Sequence, residues 1–450
     1  FPTRRSSDLS AIFRDDKRYT VFTSVCTLSK TVKDVWNCSV ILRNPYEIFI
    51  PIFFMVKELF QLIDSYREEM VKTLAQLVRI RAVSPDNGGE GELDKAEYLM
   101  SLLDEFEVER YDAEDGRAKG GIRPNIVARL EGEQSRALWI VTHLDVVPEG
   151  DLSLWQTSPF EPVIREGKVY GRGSEDNGQS IISSLFAAKA IAKLGLTPKY
   201  TLYLAFVSDE ETGCKYGIQH LIDQKIFGKD DLFIVPDAGT PDGRGIEIAE
   251  KSVLWLKFTV RGIQTHASRP DRGDNAAKKA MKFLLELDEM LHKRFSRENP
   301  LFTPPHSTFE ITKREKNVDN INTIPGLDVS YMDCRILPEY DVDEVLNFIE
   351  EVKESRGSIE VEVVSKISSP STSEDSEVAQ LLKRAIETVK GISPRFFGSG
   401  VYTCAAFLRR AGFDSAAWCT IDGTGHQPNE YAVIENMVND AKVFAILPFI

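Results

Sequence analysis

Arg136-Ala-Leu-Trp-Ile-Val-Thr-His-Leu-Asp145 is a short apolar run that ends in a histidine and an aspartate. Its length and lack of helical period predict a buried strand over Arg136 to Thr142. Tyr200-Thr-Leu-Tyr-Leu-Ala-Phe-Val207 is a second such run, and Asp231 to Val235 and Ser415 to Thr420 are two more. A helix rich in small residues is expected between two of them, from Ser180 to Leu194. Strand-helix-strand alternation predicts an α/β domain with a mostly parallel sheet.

The middle of the chain follows another pattern. Strands are expected over Leu254 to Val260, His306 to Lys313, Leu327 to Leu337 and Ile359 to Ser365. Helices are expected over Asn275 to Phe295 and Val342 to Glu354. That order, β-α-β-β-α-β, predicts a ferredoxin-like unit. α/β-type elements resume after Pro370, so the unit is an insertion, with Ser369-Pro-Ser-Thr-Ser as the return hinge. The expected division is 55–252 and 367–450 for the α/β domain and 253–366 for the insert.

Bulk composition narrows the classes. The chain has 450 residues, 42% hydrophobic and 28% charged, which fits folded domains. A formal net charge of -14 argues against nucleic-acid binding, which needs clustered Lys and Arg. The longest apolar candidate, Ile48 to Val56, falls well short of the roughly 18 residues a membrane span needs and contains Pro51. Cys26, Cys38, Cys214, Cys334, Cys404 and Cys419 are scattered, as free thiols in a reducing cytosol would be. Phe1 to Leu9 resembles translated sequencing-adapter sequence, and residues 1–54 read as a non-native or disordered leader. At Met55 an amphipathic period begins, with Leu59, Leu62, Ile63, Met70, Leu74 and Leu77 near helical spacing.

The expected strand ends carry metal-type side chains. They are His143 and Asp145, then Glu210 and Glu211, then Asp237, and His426 in the loop after Ser415 to Thr420. Asp176 precedes the small-residue helix. Open α/β sheets bind ligands outside the carboxyl ends of their strands, so these distant positions would converge. Two imidazoles with several carboxylates suit paired zinc ions, one carboxylate bridging them. Cobalt or manganese could take the same donors. The Glu210-Glu211 pair would supply one ligand and one general base, since neighbours on extended backbone point opposite ways. Asp145 would anchor the second nitrogen of His143. His220, His292 and His306 read as structural or surface residues. Gly171, Gly173 and Gly178 lack the spacing of a phosphate loop and read as turn glycines.

Five segments carry a family resemblance. They are Thr142-His-Leu-Asp-Val-Val-Pro, Tyr170-Gly-Arg-Gly-Ser-Glu-Asp-Asn-Gly, Asp209-Glu-Glu-Thr-Gly, Pro236-Asp-Ala and His426-Gln-Pro-Asn-Glu-Tyr. Together they resemble the acetylornithine deacetylase, succinyl-diaminopimelate desuccinylase, aminoacylase and carboxypeptidase G family of di-zinc metallopeptidases, closest to archaeal desuccinylase-like members. The resemblance runs from Met55 to the C-terminus and implies that the insert is a lid and dimerisation domain. It implies one zinc on His143, Asp176 and Asp237, and the other on Asp176, Glu211 and His426. Glu210 would be the general base, and the Asp176–Asn177 peptide bond would be cis. His266, in Gly262-Ile-Gln-Thr-His-Ala-Ser-Arg-Pro, would reach the active site of a partner subunit and polarise the scissile carbonyl. Asn322, Arg335, Thr403 and Lys251 match substrate-contacting positions, with Arg335 gripping a carboxylate.

The implied substrate is a small N-acyl amino acid or short peptide. Three positions depart from the desuccinylase pattern. Tyr402 stands where a glycine is expected, Lys251 where an arginine is common, and Asp237 where desuccinylases carry Glu. The last leans towards peptidases. Expression from Met55 is expected to give folded, active protein, Met55 being the expected native start; loss of either property would contradict that start.

Overall fold

Alternation along the run at Arg136 shows why it is a strand. Leu138 and Ile140 enter one apolar core, Trp139 and Val141 another. A strand with both faces buried belongs inside a sheet covered on both sides.

The computed structural model describes residues 46–450, except 355 and 358. Residues 1–45 of the expected leader, with Cys26 and Cys38, lie outside the described residues. In chain order the first strands are β1 (Glu107–Glu114), β2 (Ile122–Leu130), β3 (Gln134–His143), β4 (Tyr200–Val207), β5 (Leu232–Gly239) and β6 (Gly245–Glu250). The insert supplies β7 (Ser252–Arg261), β8 (Thr308–Arg314), β9 (Leu327–Ile336) and β10 (Ile359–Ile367). The last two of the main sheet are β11 (Arg395–Ser399) and β12 (Ser415–Cys419). The helices used below are α1 (Tyr46–Ser65), α2 (Arg67–Arg79), α3 (Ser180–Lys193), α4 (Ala276–Arg294), α5 (Val342–Glu354), α6 (Glu377–Lys390), α7 (Cys404–Arg410) and α8 (Ile434–Ile446).

The main sheet has eight strands in the order β1-β2-β4-β3-β5-β12-β6-β11. β4, β3, β5 and β12 run parallel, as do β6 and β11. β1 and β2 form an antiparallel edge, and β12 meets β6 antiparallel. Helices α1, α2, α3, α6 and α8 contribute to the larger core on one face. The small residues of α3 let it be buried nearly all round. α7 and the helix Ile218–Asp223 cover the other face. On α1, Leu59 and Ile63 are fully buried one turn apart, as the period from Met55 predicts. The backbone helix itself begins at Tyr46 and runs through Met55.

The insert is ferredoxin-like. Its strands lie in the order β8-β9-β7-β10, all antiparallel, with α4 and α5 packed on one face. Two chain crossings join it to the main domain, β6 to β7 and β10 to the Ser368–Pro370 stretch. A short ladder pairs Thr265–His266 with Thr323–Ile324.

Several strands differ from expectation. β1 is mostly exposed and charged, so it shows no apolar run. β6 reads Gly-Ile-Glu-Ile-Ala-Glu, the alternation of a half-exposed strand, yet all of it is buried. Its carboxylates Glu247 and Glu250 are offset by buried Arg409, 3.4 Å from each. Among the described residues, no helix is long and apolar enough to cross a membrane. The four described cysteines are buried free thiols.

Candidate active site

β3 delivers His143 as its last residue, and the loop after it carries Asp145. The main-chain carbonyl of Asp145 lies 3.1 Å from His143 Nδ1. A carbonyl only accepts, so Nδ1 carries the proton and Nε2 is left with its lone pair. That nitrogen lies 2.9 Å from Asp176 Oδ1 and 3.4 Å from Asp237 Oδ1. His426 Nε2 lies 3.2 Å from the other oxygen, Asp176 Oδ2, and 3.0 Å from Glu211 Oε2. Asp176 thus stands between two imidazoles, one on each carboxylate oxygen.

Glu210 and Glu211 correct one expectation. They sit on a 3₁₀ turn, Glu210–Thr212, not on extended backbone. Asp145 is the reason. Its buried carboxylate accepts both main-chain N–H groups, from Glu210 and from Glu211, each at 3.0 Å. Asp209, in a left-handed conformation, starts the turn and lies 3.3 Å from the fully buried Arg123 guanidinium. Asp145 therefore serves His143 through its carbonyl, while its carboxylate, 3.6 Å from Nδ1, holds the glutamate turn.

Two buried glutamates were missed by sequence reading, although both lie inside the quoted segments. Glu175 accepts main-chain N–H groups of Asp422 at 2.7 Å, Gly425 at 3.0 Å and Thr424, with the Thr424 hydroxyl at 2.8 Å. Glu430 accepts from Gly173 and Glu175 at 3.0 Å each, from Asp176 at 3.1 Å and from Arg172 Nη1 at 2.7 Å. Each loop carries a carboxylate that fastens the other, so Asp176 and His426 are positioned reciprocally. The approach is close at Gly425, where a methyl would sit 3.0 Å from Asp176 Oδ2 and press on that carboxylate. The Asp176–Asn177 bond is cis, and Asn177 Nδ2 donates to Asp237 Oδ1 at 2.8 Å.

Asp176, Glu210, Glu211, Asp237 and His426 line one cleft of about 240 Å³ together with Arg335 and the 401–403 segment. Its electrostatics call for cations. Burial, and then the charge of Asp237, pushes Glu210 well above the usual carboxyl range. Burial and Asp176 push Glu211 up to about 7. Burial also opposes charge on Asp176, but hydrogen bonds from His143 and His426 hold its carboxyl below the ordinary range. Glu211 Oε1 is buried without a hydrogen-bond partner among the described residues. His143, Asp176 and Glu211 can bring ligand atoms within 4.8 Å of one another, and so can His143, Glu210 and Asp237. Imidazole lone pairs facing crowded carboxylate oxygens form a possible metal site.

The remaining expected contacts divide. Arg335 lines the cleft, its Nε and Nη2 on Asp333 and its Nη1 on the Gly400 carbonyl. Thr403 lines it too, but its hydroxyl donates to Glu250 at 2.8 Å. Lys251 is placed elsewhere: it is buried, and its ammonium is spent on the carbonyls of Pro304 and His306. A lysine there serves packing between the hinge and the 304–306 loop. His266 is exposed outside this chain's cleft, its Nε2 3.4 Å from Asn322 Nδ2.

The family model of peptidase family M20/M25/M40 matches residues 139–448. The chain belongs to peptidase family M20/M25/M40. It is accordingly a metal-dependent hydrolase of that family. It is 44% identical over 401 residues to an uncharacterized metallohydrolase of Methanocaldococcus jannaschii, covering 84% of this chain and 98% of that one. It is 27% identical over 368 residues to succinyl-diaminopimelate desuccinylase of Alkalilimnicola ehrlichii, covering 81% and 94%. Among solved structures, the fold resembles an M20 metallo-carboxypeptidase of Sulfolobus solfataricus, with a TM-score of 0.68, 19% identity, and 84% and 98% of the two chains covered.

Replacing Glu430 by Ala would strand Arg172 and three N–H groups. In this M20 chain it is expected to cost about 3–5 kcal/mol in denaturant unfolding and roughly 10–100-fold in metal affinity. Wild-type values for both would contradict the reciprocal clasp.

Proposed function

We propose that the chain hydrolyses the amide bond of an N-acyl amino acid, in the manner of a desuccinylase or deacetylase. The observation that carries this reading is Asp176, shared between His143 and His426 beside buried Glu210. We assign His143, Asp176 and Asp237 to one zinc ion and Asp176, Glu211 and His426 to the other. Glu210 is close enough to be a ligand but bonds neither imidazole among the described residues, which leaves it for proton transfer. Two zinc ions held there, or cobalt or manganese on the same donors, would lower the pKa of a water and polarise the scissile carbonyl.

The residues of the chain do the rest. Glu210 takes a proton from the water as its oxygen attacks the carbonyl carbon. It returns that proton to the leaving nitrogen as the C–N bond breaks. Asp145 fixes the turn from which Glu210 acts. Arg335 has five N–H groups, of which three are placed by Asp333 and Gly400. One N–H on each terminal nitrogen remains for a substrate carboxylate. A dipeptidase or carboxypeptidase would use the same groups, and Asp237 favours that second reading.

His266 is exposed and is not among the residues that line its own cleft, so we assign it, with Asn322, to the cleft of a partner subunit. The lid would supply the homodimer contact, since Met281 and Leu285 on α4 are exposed apolar residues and β8 and β10 are the outer strands of its sheet among the described residues. The scattered buried thiols favour a cytosolic setting.

Glu210→Gln is expected to keep both metal ions by elemental analysis while turnover falls at least about 100-fold. Unchanged turnover would remove Glu210 from the reaction. A panel of N-succinyl and N-acetyl amino acids against dipeptides decides the substrate: turnover of dipeptides alone would overturn the deacylase reading. Light scattering should show a dimer; an active monomer would contradict the role given to His266.

A further inference from the structure

Hydrogen-bond donors are scarce on the cleft wall. Four of its side chains, Asp176, Glu210, Glu211 and Asp237, are acceptors when ionised. His426 is held between Asp176 and Glu211. The Thr403 hydroxyl is directed to Glu250, away from the cleft. Arg335 stands on the lid side, oriented by Asp333 and Gly400. Apart from the two N–H groups that Arg335 keeps for a substrate carboxylate, a further side-chain donor is Tyr402, a residue of the cleft wall whose hydroxyl has no hydrogen-bond partner among the described residues.

Tyr402 is held firmly. Its ring meets Phe407 edge-on, with centroids 5.9 Å apart and planes at 84°. The next residue, Thr403, is clamped by buried Glu250, which accepts its main-chain N–H at 2.9 Å and its hydroxyl at 2.8 Å. The same glutamate accepts from Ser369 at the return hinge of the lid. Burial, then the nearby Glu210, pushes the phenol's pKa up, so the hydroxyl keeps its proton across the neutral range. A fixed, protonated donor in the same cleft wall as the general base is the arrangement that stabilises charge as it develops, because little reorganisation is needed.

We propose that Tyr402 is a catalytic residue whose phenol donates a hydrogen bond to the scissile carbonyl oxygen as negative charge builds on it. This rests on the amide-hydrolase reading above. It gives each chain a donor of its own in the cleft, beside the histidine expected from the partner. It also gives the tyrosine a chemical role where a glycine was expected, beyond filling space.

The test is Tyr402→Phe in the metal-loaded enzyme, on the best substrate of the acyl and dipeptide panel. The ring and its packing on Phe407 are kept, so metal content and melting temperature should match wild type. Loss of one donor to the developing oxyanion is expected to lower kcat about 100- to 1,000-fold, with KM within threefold. A phosphonate mimic of the tetrahedral state should bind more weakly by the same factor, while the product amino acid binds as before. A fall in kcat of less than tenfold would overturn the proposal and leave Tyr402 as a wall. If the Phe variant loses metal, difluorotyrosine at 402 keeps the ring volume and replaces it. An alkaline limb in its kcat profile, set by the more acidic phenol, supports the donor role, and a wild-type profile overturns it. A wild-type enzyme that turns over no member of the panel would sink the amide-hydrolase reading together with this one.

Discussion

Asp176 can face His143 and His426 at once only if two loops, far apart in sequence, are held within hydrogen-bonding distance. Glu175 and Glu430 meet that constraint. Each is a buried carboxylate on one loop, and each takes its hydrogen bonds from the backbone of the other. Short antiparallel strands, Lys168–Tyr170 and Tyr431–Val433, bring the loops side by side. An unpaired carboxylate this deep would cost several kcal/mol. Here that cost is offset by N–H groups that had no helix or ladder partner. The same bonds that satisfy the glutamates fix the distance between the imidazoles.

The main sheet fixes the other half of the site. Parallel strands β3, β4 and β5 end at one edge, so His143, the Glu210 turn and Asp237 arrive together. Asp145 ties the first two to each other, and Asn177 ties the third to the Asp176 loop. The lid is joined to this edge through three consecutive residues. Glu250 binds Thr403 and Ser369, Lys251 binds the 304–306 loop, and Ser252 accepts from the Ser369 backbone. The same three residues thus contact both the insert and the cleft wall at Thr403.

Much of this was legible in the residues. Apolar runs located the central strands, and the changed period between 254 and 365 located the ferredoxin-like insert. The convergence of His143, Glu211, Asp237 and His426 was expected from strand ends, because parallel sheets gather their ligands at one edge, while Asp176 was expected from its place just before the small-residue helix. Other parts were hidden for physical reasons. β6 looks half-exposed because two of its residues are glutamates, and only Arg409 from a distant helix makes them tolerable inside. The Glu210 turn looked extended because its shape depends on Asp145, whose carboxylate has no local signature. Lys251 carries a charge suited to a substrate, yet its partners are carbonyls some fifty residues away, which composition cannot show. Glu175 and Glu430 looked like ordinary acidic neighbours of the ligands.

The proposed function rests on Asp176 being shared by two metal ions. Calorimetric titration of the metal-free protein with zinc measures this directly. The geometry predicts two equivalents per chain in the wild type, and fewer than two in Asp176→Asn, whose amide nitrogen cannot replace the second oxygen. A single equivalent in the wild type, or two tight equivalents in Asp176→Asn, would contradict it.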